Sequence, residues 1–105
     1  MANGRLAAVT PTANTDTLVY QVPGTSTASI SISICNTDVN TSNIRLSIEN
    51  SAAVGIATTN CLEYDMAIVP LSTFERGGLV LGNQQKLFCR SSASNVNFIV
   101  YGYEE

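Results

Sequence analysis

The chain has no histidine and no tryptophan, and only 12% of its 105 residues carry a charge, about half the ~25% of ordinary globular domains. Without histidine the commonest general base is missing, and Ser-His-Asp and Cys-His catalysis are excluded. Neither a phosphate-binding loop nor a dinucleotide fingerprint occurs. No apolar run approaches the ~18 residues of a membrane span. Met1 to Val9 holds one arginine and no long apolar stretch, so it does not read as a signal peptide; the chain is expected to fold in the cytoplasm of the cell that makes it. The five basic residues, Arg5, Arg45, Arg76, Lys86 and Arg90, are scattered along a chain of net charge −3. They form no phosphate-tracking cluster, so neither nucleic acid nor membrane is expected as a partner. The three cysteines, Cys35, Cys61 and Cys89, show no CxxC spacing, so no metal site and no cofactor are expected. They read as free thiols, with one disulfide and one leftover thiol as the alternative.

What fills the space is Ser, Thr and Asn among a 45% hydrophobic fraction. A polar but uncharged surface suits contact with other proteins, where buried charge is costly; it is equally the composition of an extracellular β-domain. The length is that of one domain, able to bury roughly two thirds of its unfolded surface, which leaves little room for a deep cleft.

The period of two dominates the hydrophobic pattern. Ile30, Ile32 and Ile34 alternate with Ser29, Ser31 and Ser33, and Ile44, Leu46 and Ile48 alternate with Asn43, Arg45 and Ser47. A strand sends successive side chains to opposite faces, so each segment has one apolar face. The turn formers of Asn36 to Ser42 between them predict a hairpin. Further strands are expected over 17–22, ended by Pro23-Gly24, over 61–69, ended by Pro70, and over 78–81, 86–90 and 95–103. The last has apolar groups on both faces for part of its length, as a central or covered strand does. Seven strands result, or eight if 52–58 also pairs. With no helical stretch between them, the fold class is all-β, an antiparallel β-sandwich of jelly-roll or Ig-like type over 17–105. Residues 1–16, polar and containing Pro11, read as an extended N-terminal arm that reaches a neighbour or frays.

The chemistry on offer is thin. Glu63 and Asp65, two apart on one expected strand, share a face; such a pair can divide acid and base roles, hold a hard cation, or simply be solvated. Glu75-Arg76-Gly77-Gly78 reads as a tight charged loop whose arginine can face a partner. Asn40-Thr41-Ser42 matches a glycosylation acceptor and is read as chance. Tyr20, Tyr64 and Phe98 fall on core-facing parities. Tyr101 and Tyr103 share the opposite face of the last strand, where they serve as interface anchors or as a second core layer. The candidate partner contacts are therefore Arg5, Glu75, Arg76, Tyr101 and Tyr103.

The succession Thr17-Leu18-Val19-Tyr20-Gln21-Val22-Pro23-Gly24, Ala28 to Asn36, Ile44 to Ile48, Leu62-Glu63-Tyr64-Asp65, Phe74 to Gly78 and Val100-Tyr101-Gly102-Tyr103-Glu104-Glu105 resembles the small structural proteins of tailed bacteriophages, including phages of cyanobacteria and marine bacteria. The likeness covers about residues 14–105 and lies in strand and turn signatures. It implies a virion part without enzymatic activity. One expectation is a capsid decoration or cement protein on the major capsid protein; the other is a tail, collar or baseplate component, including fibre attachment. Dimers or trimers are expected on symmetry grounds. A carbohydrate-binding module and a carboxylate enzyme are the alternatives from other classes, the former weakened by the absence of tryptophan.

Overall fold

The computed structural model describes residues 2–105. Among these lie eight strands and one short 3₁₀ turn, Thr58–Asn60. The strands are β1 (Asn3–Val9), β2 (Thr17–Gln21), β3 (Ala28–Asn36), β4 (Ser42–Glu49), β5 (Cys61–Ile68), β6 (Thr73–Leu81), β7 (Lys86–Ser91) and β8 (Val96–Glu104). They form two four-stranded antiparallel sheets, the first in the order β1-β8-β3-β6 and the second in the order β2-β7-β4-β5. Only β4 and β5 are consecutive neighbours within a sheet; every other connection crosses from one sheet to the other, the wiring of a jelly roll.

Alternation in the sequence builds the core. Ile30, Ile32 and Ile34 of β3 and Val96, Phe98 and Val100 of β8 point in from the first sheet. Ile44 and Leu46 of β4 and Leu87 and Cys89 of β7 meet them from the second. Ile32, Ile34, Ile44, Leu46 and Phe98 are completely buried. Burying one such side chain stabilises by about 1.5–3 kcal/mol, so these facing rows, to which the isoleucine-serine repeat gives Ile30, Ile32 and Ile34, hold the two sheets together.

The central pairs are regular. The β3–β8 register runs unbroken from Ala28↔Glu104 to Asn36↔Val96, and β4–β7 from Ile44↔Ser91 to Glu49↔Lys86. Each of the four edge strands, by contrast, shifts register at least once against its neighbour. Bulges twist an edge and blunt it against stray pairing.

Several sequence expectations need correction. The predicted β3–β4 hairpin does not form, because the two strands belong to different sheets. The turn formers between them instead make a crossing. There the buried Asn36 amide donates to the carbonyls of Asn40 and Ile68, both at 2.9 Å. Residues 3–9 of the expected arm are edge strand β1, paired to β8 from Asn3↔Tyr103 to Val9↔Phe98; Met1 lies outside the described residues. The eighth strand is therefore β1. Residues 52–58 lie outside the strands, in the β4–β5 loop. Glu75 to Gly78 is not a loop: β6 begins at Thr73, and Gly77-Gly78 is a bulge opposite Ser31, with Gly78 at φ +72°.

Candidate functional site

The two outer faces of the sandwich differ. On the second sheet, the β4–β5 loop folds back over the outward-pointing Ser47, Glu49 and Phe88, all buried. Lys86 Nζ donates to the Ala53 carbonyl at 2.9 Å, and the Ile56 N–H donates to Asp16 at 3.0 Å. Glu49 accepts from the Ala57 N–H at 2.9 Å and from the Asn60 amide at 2.7 Å. Burial works to raise the Glu49 pKa, but these hydrogen bonds outweigh it and hold the carboxyl below its ordinary value.

Among the described residues, nothing covers the outer face of the first sheet in this way. Cross-strand partners share a face, and the register aligns Arg5, Tyr101 and Ser31 in one row and Asn3, Tyr103, Ser29 and Val80 in the next. Ser33 brings Glu75 onto the same side. Tyr101, Tyr103 and Val80 are 39%, 49% and 69% exposed. Ser29 and Ser31, small and hydroxylated, lie between the tyrosines and β6, so a shallow depression of about 290 Å³ opens along Ser29, Ser31, Gly78, Val80, Tyr101 and Tyr103. The Tyr101 hydroxyl donates to Glu75 at 2.7 Å, which raises the phenol's pKa from its ordinary value. This bond holds one ring in place before any partner arrives.

Gly102 separates the tyrosines for a steric reason. It sits at φ +148°, and a Cβ there would overlap the Ser29 carbonyl oxygen and lie 2.9 Å from the Ile30 Cα. Only glycine lets β8 lie this close to β3 while Tyr101 and Tyr103 both face out.

Four of the five residues marked in the sequence as partner contacts, Arg5, Glu75, Tyr101 and Tyr103, thus meet on one face. The fifth does not. Arg76 lies opposite Ile32 on the inward side of β6 and pairs with Glu63 of β5, across the open side between the sheets. Its Nε is buried without a partner. Val80 and the serine floor were not marked; the Ile-Ser alternation predicted the floor's orientation, but no local signal joins it to the tyrosines.

The carboxylate pair is also taken apart. Leu46 stands opposite Glu63 and Ile44 opposite Met66, so β5 carries an extra residue between them and Asp65 adopts φ +52°. Glu63 turns inward to Arg76, while Asp65 turns outward and accepts from Arg45 Nε at 2.7 Å. The same bulge puts Tyr64 outside, 53% exposed, with the Arg45 guanidinium 4.3 Å from its ring centre. Its core-facing parity is therefore overturned, whereas Tyr20 and Phe98 are buried as expected. Tyr20 donates across the sandwich to Glu104, and burial followed by that hydrogen bond raises its pKa strongly.

All three cysteines are free. Cys89 is completely buried, and desolvation pushes its thiol up to about 12. Among the described residues, no group of three or more His, Cys, Asp or Glu side chains is placed to hold a metal ion, and no helix is long and apolar enough to cross a membrane. No protein-family model matches the chain, and a search of curated proteins finds none similar to it in sequence.

Proposed function

We propose that this protein is a structural component of a bacteriophage virion. It is made in the cytoplasm of the bacterial host and acts as a decoration protein that binds the assembled capsid through the outer face of its first sheet. The observation that carries the reading is the gathering of Arg5, Glu75, Tyr101 and Tyr103 on one uncovered face. Tyrosine and arginine are the residue types that dominate binding energy at protein interfaces. A tyrosine held by a hydrogen bond to Glu75 loses little freedom on docking. The face is built on a central strand pair, β3 and β8, whose register is unbroken by bulges. The jelly-roll wiring is shared with many viral capsid proteins, a likeness of architecture that permits the reading without specifying it. The reading assigns no catalytic step, and Glu63 and Asp65, on which the carboxylate-enzyme alternative rested, turn to opposite sides of β5.

The test uses particles made without this protein. Purified wild-type chain should rebind them, and imaging should place it on the shell. A Tyr101→Ala, Tyr103→Ala double variant should bind at least about tenfold more weakly, since two interface anchors are lost. Failure of the wild-type chain to bind refutes the virion reading. Density on the tail, collar or baseplate refutes the capsid assignment. Equal binding by a folded double variant refutes the assignment of the face.

A further inference from the structure

The part of the second sheet's outer face that the β4–β5 loop leaves uncovered is a polar depression of about 180 Å³ lined by Asn14, Asn43, Arg45, Asp65, Arg90 and Ser92. Arg45 and Arg90 are directly opposite each other across β4 and β7. Like charges in that position work against the sheet, and the core needs neither side chain, since both point away from it. Each arginine is instead restrained by an aspartate. Arg45 donates to both Asp65 oxygens, at 2.7 and 3.2 Å, and Arg90 donates to Asp16 at 3.3 Å. Asp65 reaches its position through the β5 bulge, at φ +52°, a left-handed conformation that aspartate tolerates better than most side chains.

We propose that this depression binds a carboxylate-bearing sugar unit, of the uronic-acid kind, within a glycan. Asp16 takes one N–H of the Arg90 guanidinium, and the rest of its five-donor fork can receive a carboxylate. Asp65 on the wall accepts from a sugar hydroxyl, and the exposed Asn14 and Asn43 amides both donate and accept. The two arginines are balanced by Asp16 and Asp65, so the site as a whole is close to neutral. That disfavours a doubly charged phosphate and suits a ligand with one charge and several hydroxyls. A partner protein's carboxylate would satisfy Arg90 but leave the mixed donors and acceptors of Asp65, Asn14 and Asn43 unused. This site lies on the opposite sheet from the tyrosine face and does not depend on it.

Side-chain NMR signals of Arg45, Arg90, Asn14 and Asn43 in the full chain should report binding during titration with D-glucuronate, D-glucose and acetate at matched ionic strength. Glucuronate should give saturable shifts at millimolar Kd, about tenfold tighter than either control, because charged and neutral hydrogen bonds act together. Arg90→Gln should weaken glucuronate binding by about tenfold while leaving its glucose response unchanged. Asn43→Ala, at an exposed position, should also weaken it and provides a second variant should Arg90→Gln fail to fold. Shifts that do not saturate with glucuronate overturn the proposal. So does acetate binding as tightly as glucuronate, which would mark a bare carboxylate contact of the kind a protein partner makes, and so does unchanged binding in a folded Asn43→Ala variant.

Discussion

Replacing Gly102 with alanine tests how β8 is held against β3. The added methyl group would overlap the Ser29 carbonyl oxygen and press on the Ile30 Cα at 2.9 Å, both backbone atoms of the neighbouring central strand. Backbone cannot rotate away as a side chain does, so β8 has to move. Two costs follow. Holding alanine at φ +148° costs on the order of 1–3 kcal/mol. Opening the ladder beside it weakens at least one backbone hydrogen bond, worth about 0.5–1.5 kcal/mol. The sum is about 3 kcal/mol, a large part of the ~5–15 kcal/mol that stabilises a small domain. At about 4–8 °C per kcal/mol for a chain of this size, the Tm should fall by at least about 12 °C. Gly78 provides the control. It also has positive φ, +72°, but a Cβ there would meet nothing within 4 Å. Gly78→Ala should therefore cost only the conformational term, about 1 kcal/mol. Thermal and urea unfolding followed by circular dichroism measure both. If Gly102→Ala is no more damaging than Gly78→Ala, the close approach of β8 to β3 is not the constraint described.

Two further expectations concern ionisable groups. The Glu49 carboxyl has a lowered pKa in the folded state. Its contribution is therefore complete above the ordinary unfolded carboxylate value of about 4.3 and is lost as pH falls through the folded value. Urea midpoints between pH 7 and pH 3 should drop, and Glu49→Gln should cost about 1–3 kcal/mol at pH 7 and flatten the acid limb; an unchanged limb would count against Glu49 as the anchor of the β4–β5 loop. Cys89, buried and with its thiol pushed up to about 12, should resist alkylation at pH 8 in the native protein and react only as fast as the chain unfolds; labelling that outpaces unfolding would contradict its burial.

The legibility of the sequence followed the position of each strand in its sheet. On β3 and β8 the alternation read from residues matched the buried and exposed sides, because both flanks of a central strand are pinned by neighbours and a slip would expose a whole apolar row. On β2 and β5 it failed in part, and residues 75–77 of β6 did not read as strand at all. Leu18, on the parity of the buried Tyr20, is 42% exposed because a register shift separates the two, Tyr64 is outside, and Arg76, expected in a loop, lies in a strand and points in. An edge strand has one free flank, so it can take up an extra residue at little cost, and nothing in the local pattern marks where. Glycine helped only after the fact: Gly77-Gly78 suits a turn and a bulge equally well.

The tyrosine face shows the same division. Tyr101 and Tyr103 share a side of β8 by alternation alone, so their common direction was readable. That Arg5, from the other end of the chain, and Glu75, from β6, join them depended on the order β1-β8-β3-β6.

Which side of each central strand is apolar, and the extension of most of the strands, can be read from the residues alone, since both follow from nearest-neighbour geometry and the cost of exposing isoleucine to water. Which strands pair, where the edges bulge and what meets on each outer face are properties of the folded chain. Those outcomes depend on contacts between residues far apart in the chain, and similar alternating strands are compatible with many such pairings.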